Sequence, residues 1–178
     1  MAMISLEKRI IATTIDESGA DFARKQVLES GLEKQIEIKI EDISKKLPYQ
    51  NDYFDFIYAR LVLHYLNKEE LKYTLSELYR VLKKGGRFFI VVRSIDCFEA
   101  QHNKSSYNKS TGTITYCSEN NETCKRFFHT TDSIKTFLSN ANFNIKHVKV
   151  YQEHLCIDFK RTKPSKYVDT LIEILAEK

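Results

Sequence analysis

Residues 67–93 constrain the fold of this chain more than any other stretch. Asn67 stands three residues before Glu70, the spacing of a reciprocal helix cap, and Leu71, Leu75, Leu78 and Leu82 follow at steps of four, three and four. That period predicts an amphipathic helix over 67–84, stopped by Gly85 and Gly86. Directly after it, Arg87 to Arg93 encloses Phe88, Phe89, Ile90, Val91 and Val92 in one unbroken apolar run. Such a run suits a strand covered on both faces, the kind found inside a parallel sheet. A helix that delivers the chain to a buried strand implies right-handed crossovers and an α/β architecture, with ligands outside the carboxyl ends of the strands.

The remaining segments fit that scheme. Arg9 to Asp16 is β-branched and reads as a strand, Ser18 can cap a helix carrying Ala20, Ala23 and Val27, and Gly31 suits the left-handed position after its last turn. Ile36, Ile38 and Ile40 alternate with Glu37 and Lys39 in a second strand, closed by Glu41 and Asp42. Pro48 and residues 50–52 make a turn before a compact strand, Phe54 to Tyr58, that ends at Ala59. Residues 94–126 are rich in Asn, Ser, Thr and Glu, and form a polar insertion that is either a functional lid or a mobile loop. A helix follows over 131–141 with Ile134, Phe137, Leu138 and Ala141 on one face, then a strand-like segment from Asn144 to Ile157. The last segment, Tyr167 to Glu177, fits a helix or a buried strand equally well.

Composition narrows the function. The chain has 178 residues, 42% of them hydrophobic and 29% charged, enough for one globular domain spanning 1–178. Its net charge of +4 comes from 28 basic and 24 acidic residues spread along the whole length, so no basic block marks a nucleic-acid surface, and no nucleic-acid partner is expected. Cys97, Cys117, Cys124 and Cys156 make no CxxC pair, and His129 lacks zinc-finger spacing from Cys117 and Cys124, so reduced thiols and no metal are expected. Met1 to Arg9 holds no signal-peptide run, and no stretch is apolar enough to span a bilayer. A cytoplasmic protein without a membrane partner is the expectation.

The stretch Asp42-Ile43, Leu47-Pro48 and Tyr53 to Leu66 (YFDFIYARLVLHYL) resembles the middle of class I S-adenosylmethionine-dependent methyltransferases. Glu77 to Phe89 (ELYRVLKKGGRFF) is similar to that family's helix and glycine turn before its fifth strand. Phe127-Phe128-His129, Ala141-Asn142-Phe143 and the C-terminal strand pair match its closing elements more loosely. The resemblance implies a single-domain Rossmann-like methyltransferase sheet, mostly parallel with an antiparallel C-terminal strand, and it favours a strand for 167–177. It implies S-adenosylmethionine as cofactor, with Asp16 on the ribose, Asp42 beside the adenine amino group, Ile43 against the ring and Ala59 offering backbone groups near the methionine end. It places Arg60, Tyr65 and Arg93 toward a small-molecule acceptor. His64 is the catalytic candidate, because a neutral imidazole both donates and accepts a hydrogen bond, while a buried core histidine is the alternative. Arg93 suits either an anionic substrate group or a structural ion pair.

One family feature is absent: none of Gly19, Gly31, Gly85, Gly86 and Gly112 forms a Gly-x-Gly-x-Gly turn. The chain is therefore one strand-helix unit short, and Arg9 to Asp16 corresponds either to the family's second strand or to its first with an altered loop. The first placement keeps the spacing of the two acids; the second avoids an unpaired ladder in mid-sheet. A methyltransferase acting on a small molecule is the leading reading. A non-catalytic methyltransferase-like module that binds or regulates a partner subunit is the other, and a homodimer or a completing partner chain would cover the open strand.

Overall fold

In the computed structural model, which describes residues 9–117, 121–156 and 162–178, the chain divides into two compact units, 1–47 and 48–178. The first holds strand β1 (Ile10–Thr14), helix α1 (Glu17–Glu29) and strand β2 (Ile36–Ile40). β1 and β2 pair in parallel, from Ile10 opposite Ile36 to Thr14 opposite Ile40, so α1 is their crossover. The cap of α1 is Asp16 rather than the expected Ser18. Asp16 is extended (φ −92°, ψ 123°) and its carboxylate accepts from the Gly19 N–H, whereas Ser18 already lies in the first turn and donates its hydroxyl to Asp16. A Cβ on Gly19 would stand 2.9 Å from Asp16 Oδ2, so the glycine leaves room for the capping carboxylate. Gly31 takes the left-handed φ of +66° just past the helix, as its position predicts.

The second unit is built on strand β3 (Phe54–Arg60), helix α2 (Lys68–Val81), strand β4 (Leu82–Arg93), helix α3 (Phe98–His102), strands β5 (Tyr107–Asn108), β6 (Thr113–Cys117) and β7 (Thr123–Arg126), helix α4 (Thr131–Asn140) and strands β8 (Asn144–Glu153) and β9 (Asp169–Glu177). Its main sheet has the order β3-β4-β9-β8. β3 and β4 are parallel, and β9 runs antiparallel to both β4 and β8, so the sheet is mixed and the last segment is a strand. This is the Rossmann-like α/β fold that the sequence implies. Phe88, Ile90 and Val92 are fully buried in β4, between two partners. β8 stops at Glu153; Ile157, at the end of the expected strand, lies outside the described residues.

Helix α2 forms with the capping box read from Asn67 and Glu70, and buries Leu71, Leu75, Leu78 and Val81. It ends at Val81, earlier than its leucine period and the glycines suggest. The Arg80 and Val81 carbonyls accept the N–H groups of Asp52 and Tyr53, and Leu82 is already extended and paired with Phe54. Gly85, at φ +73°, lies inside β4 where the register with β3 shifts. Arg80 fastens the turn before β3 to this helix, donating to Glu77, the Tyr49 carbonyl and Asn51.

The polar insertion is folded rather than a loose loop. Its β5-β6-β7 sheet is antiparallel, and Cys97, Ala100, Ile114 and Phe128 form a small core of their own, with Ile95 and Tyr116 packed against it. Two backbone bonds hold it to the segment after β3: Phe127 N–H donates to the His64 carbonyl at 2.8 Å and Lys68 N–H to the Thr111 carbonyl at 3.2 Å. β3, expected as a compact aromatic and apolar strand, is one, and as an edge of its sheet it leaves Phe56 52% and Tyr58 60% exposed.

Leu78, facing β4 from α2, is 7% exposed. Leu78→Ala should lower unfolding free energy by about 2 to 5 kcal/mol as a cavity substitution, measured by urea denaturation. A loss under about half a kcal/mol, well below that cavity cost, would mean that this face carries no core.

Candidate functional site

In the first unit Asp16 and Asp42 each follow a strand by two residues, and Thr14 is paired with Ile40. The parallel register thus sets both carboxylates at the same, carboxyl end of the strand pair. Each has a local bond as well: Asp16 caps α1, and Asp42 accepts from the Ser44 N–H at 2.9 Å, with Ser44 holding its carboxyl below the usual carboxylate range. A carboxylate has about four lone-pair sites, so these bonds leave acceptor capacity on both. Ile43 follows Asp42 and is half-buried.

In the second unit Ala59 is buried and still paired, opposite Ile90, so the loop after β3 opens two residues later than expected, at Leu61. The ladder runs on through Arg60 opposite Val91, and Leu61 N–H donates to the Val91 carbonyl. Leu61 has φ +56°, a left-handed conformation that costs a non-glycine residue about 1 kcal/mol or more. Arg60 pairs with Glu153, the last residue of β8, at 2.6 Å. His64 is 2% exposed and stacks on Tyr65, whose ring also carries the Arg126 guanidinium 3.9 Å from its centre. Tyr65 itself is exposed.

Burial, with the charges of Arg93 and Arg126 and the nearby His129, holds His64 well below the usual histidine range, so it is neutral at pH 7. His129, pinned between the Arg93 carbonyl and Ile95 N–H, is wholly buried and pushed down to about 3 by burial. His64 Nδ1 and both ring nitrogens of His129 have no hydrogen-bond partner among the described residues.

Arg93, at the end of β4, meets two carboxylates. It donates to Glu99 of α3 at 2.7 Å and lies 3.7 Å from Asp169, the first residue of β9. The ion-pair geometry open to Arg93 in the sequence is thus the one present. Cys97, Glu99 and Asp169 offer ligand-type atoms within 4.8 Å of one another. Arg93 already neutralises one of these charges and would repel a metal ion there, and burial pushes the Cys97 thiol up to about 12, so the trio is poorly suited to a cation. No spacing signal marks Glu99, Asp169 or Arg126, because they are placed through β9 and the insertion; His129 is visible in the sequence as part of a loosely matching motif and as a zinc-ligand candidate whose spacing fails.

A Rossmann-like α/β chain with two acids at one end of a parallel strand pair is organised as nucleoside-cofactor domains are. Residues 1–90 match the model of a methyltransferase domain family, and the chain belongs to that family. It is 34% identical over 84 residues to a demethylmenaquinone methyltransferase of Bacteroides fragilis, a match covering 47% of this chain and 33% of that enzyme. The chain therefore matches about a third of the length of this curated relative. Its fold is similar to a crystal structure of a SAM-dependent methyltransferase from Methanosarcina mazei, at 20% identity and TM-score 0.76 over 96% of this chain and 82% of that one. A similar likeness holds for an S-adenosylmethionine dependent methyltransferase from Mesorhizobium loti, at 15% identity and TM-score 0.60 over 96% and 81%.

Arg93→Met leaves the Glu99 and Asp169 carboxylates without their cation. The variant should be about 3 to 5 kcal/mol less stable than the parent at pH 7, as for a broken buried pair, and closer to it at pH 5, where the carboxyls take up protons instead. Urea titrations at the two pH values check both the size and the sign.

Proposed function

We propose that this chain is a cytoplasmic S-adenosylmethionine-dependent methyltransferase acting on a small-molecule acceptor. The observation that carries the reading is the side-by-side placement of Asp16 and Asp42 after paired parallel strands, within a chain of the methyltransferase family. Asp16 would accept from the ribose hydroxyls and Asp42 from the adenine amino group, with Ile43 against the ring. The strand pair supports taking β1 as the family's second strand, since β1 has β2 as its partner and the two acids keep the family's spacing. On that placement the adenosine end finds its acceptors in the strand pair of the first unit, and the chain carries no glycine-rich turn for the methionine end.

When bound, the cofactor supplies an already activated methyl group, so the protein's task is mainly orientation. His64 is neutral and can accept a hydrogen bond from an acceptor hydroxyl or amine. Its low basicity suits it to orient the acceptor and pass on a proton rather than to hold one. The demethylmenaquinone methyltransferase likeness favours a small aromatic acceptor over a protein or nucleic acid. Tyr65 stands beside His64 and would bound the acceptor. Arg60 and Arg93 would act indirectly through their carboxylate partners, which disfavours an anionic acceptor.

A second reading, a methyltransferase-like module completed by another chain, is favoured by one observation, the open edge of β3 with Phe56 and Tyr58 exposed. Light scattering at high micromolar concentration should then report a dimer, and a strict monomer would remove that support.

Calorimetric titration with S-adenosylmethionine or S-adenosylhomocysteine tests the main reading, with saturable binding expected. Asp42→Ala should weaken that binding by about 1 to 3 kcal/mol, the usual consequence of losing a buried hydrogen-bond acceptor. Absence of binding by the folded parent would sink the assignment, and an unchanged variant would remove Asp42 from it.

A further inference from the structure

The insertion is joined to the main sheet by a cluster to which the methyl-transfer reading gives no direct contact with cofactor or acceptor. Glu99 lies on α3, at the start of the insertion, while Arg93 and Asp169 end and begin the adjacent strands β4 and β9. Arg93 donates to Glu99 Oε1 at 2.7 Å and approaches Asp169 Oδ2 at 3.7 Å. The remaining oxygens, Glu99 Oε2 and Asp169 Oδ1, are both buried acceptors without a donor among the described residues. Two acceptors cannot satisfy each other unless a proton lies between them. A carboxylate oxygen of Glu99 and one of Asp169 lie within 4.8 Å of each other, so a proton taken up by either group has the other as its nearest acceptor.

We propose that Arg93, Glu99 and Asp169 form a proton-dependent latch, in which one proton shared by the two carboxyl groups holds α3 and the insertion on the sheet, and its loss loosens them. With the proton present, one cation faces one net anion. Without it, two carboxylates share one guanidinium in a buried place, and the excess negative charge favours separation of α3 from β9. The Phe98 ring, stacked on Tyr167 at 3.8 Å, also joins α3 to the segment leading into β9. The segment that loosens is the start of the insertion, whose end leads into Phe127, the residue that donates its N–H to the His64 carbonyl.

The other groups facing the cluster do not replace the proton. Cys97 and Tyr116 are each pushed up to about 12, burial being the first cause, and stay neutral. Glu153, from β8, adds negative charge but is paired with Arg60. His64 and His129, near Arg93, are neutral. Burial raises the Asp169 carboxyl, Arg93 opposes it, and the charge and hydrogen bond of Glu99 raise it again, to about 6 from 3.8. Burial would raise Glu99 too, but the charge and hydrogen bond of Arg93 carry it below its ordinary value of 4.5.

The raised carboxyl of Asp169 binds its proton more tightly in the closed state, so the latch weakens as pH rises from about 4.5 toward the closed-state value of about 6, while below 4.5 protonation of the lowered Glu99 opposes closure instead. Between about pH 4.5 and 6 the opening constant should rise up to about tenfold per pH unit, the slope for one linked proton, then level off. Hydrogen exchange of the full chain, corrected for intrinsic rates, reads this at the Gln101 and Asn103 amides, which donate to the Cys97 and Glu99 carbonyls. Asp169→Asn places a permanent donor against Glu99 and should make protection high and flat with pH. Glu99→Gln, offering a donor to Asp169, should likewise flatten the profile if the first variant folds poorly. A parent whose protection does not change with pH, or variants that keep its slope, would overturn the latch. So would a parent whose α3 protection falls on chelation with EDTA, which would assign the trio to a metal ion.

Discussion

Strand β4 is the constraint on which the larger unit depends. It is the one strand of its sheet flanked on one side by a parallel neighbour and on the other by an antiparallel one, β3 and β9, and its Phe88, Ile90 and Val92 are wholly buried. Everything that packs there must respect its register. Phe143, at the turn before β8, fits between Phe88 and Tyr79 of α2, with ring centres 5.3 and 5.2 Å apart, and so ties helix, strand and C-terminal hairpin together. The chain end answers to the same strand: Lys178 exchanges backbone bonds with Gly85 and Gly86, and its ammonium reaches Asp52 and the Arg80 carbonyl. The glycines that look like a helix stop are thus also the place where the last residue of the chain docks.

That double use explains what could be read from the sequence. Local signals were dependable wherever one element decides its own structure. The Asn67–Glu70 box, the Ile36–Ile40 alternation and the apolar run 88–92 all became what their patterns imply. The end of α2 misled because two competing signals overlapped: the leucine period continues to Leu82, whereas the carbonyls before it are claimed by Asp52 and Tyr53 from a distant turn. Such a bond leaves no trace in local periodicity. The same holds for the cap of α1, where Asp16 and Ser18 are both good capping types and backbone geometry alone chose the aspartate.

The site was legible to the degree that its residues follow strands. Asp16, Asp42 and His64 can be placed by counting from strand ends, and the parallel register then brings the two acids to one end without any further information. Glu99, Asp169 and Arg126 are separated from those markers by the insertion and by a return strand whose type was ambiguous. Only the antiparallel pairing of Arg93 with Leu171 sets Asp169 beside the guanidinium. Long-range pairing of that kind has no sequence period to announce it.

The distribution of charge around the end of the main sheet gives these contacts a common consequence. Arg60 is matched by Glu153, Arg93 by Glu99 and Asp169, and Arg126 lies over the face of Tyr65. Each guanidinium therefore has an anion or an aromatic face within contact distance. On the proposed methyl-transfer reading, a fixed cation left unmatched here would oppose the binding of a methyl donor that is itself positively charged. Pairing each one on the protein lets the same residues fix backbone and rings in place without adding repulsion. Burial of His64 and His129 acts in the same direction, because an imidazole that stays neutral adds no further positive charge. The arrangement trades basicity for neutrality, which would suit the proposed chemistry, in which the electrophile arrives activated and the protein supplies position.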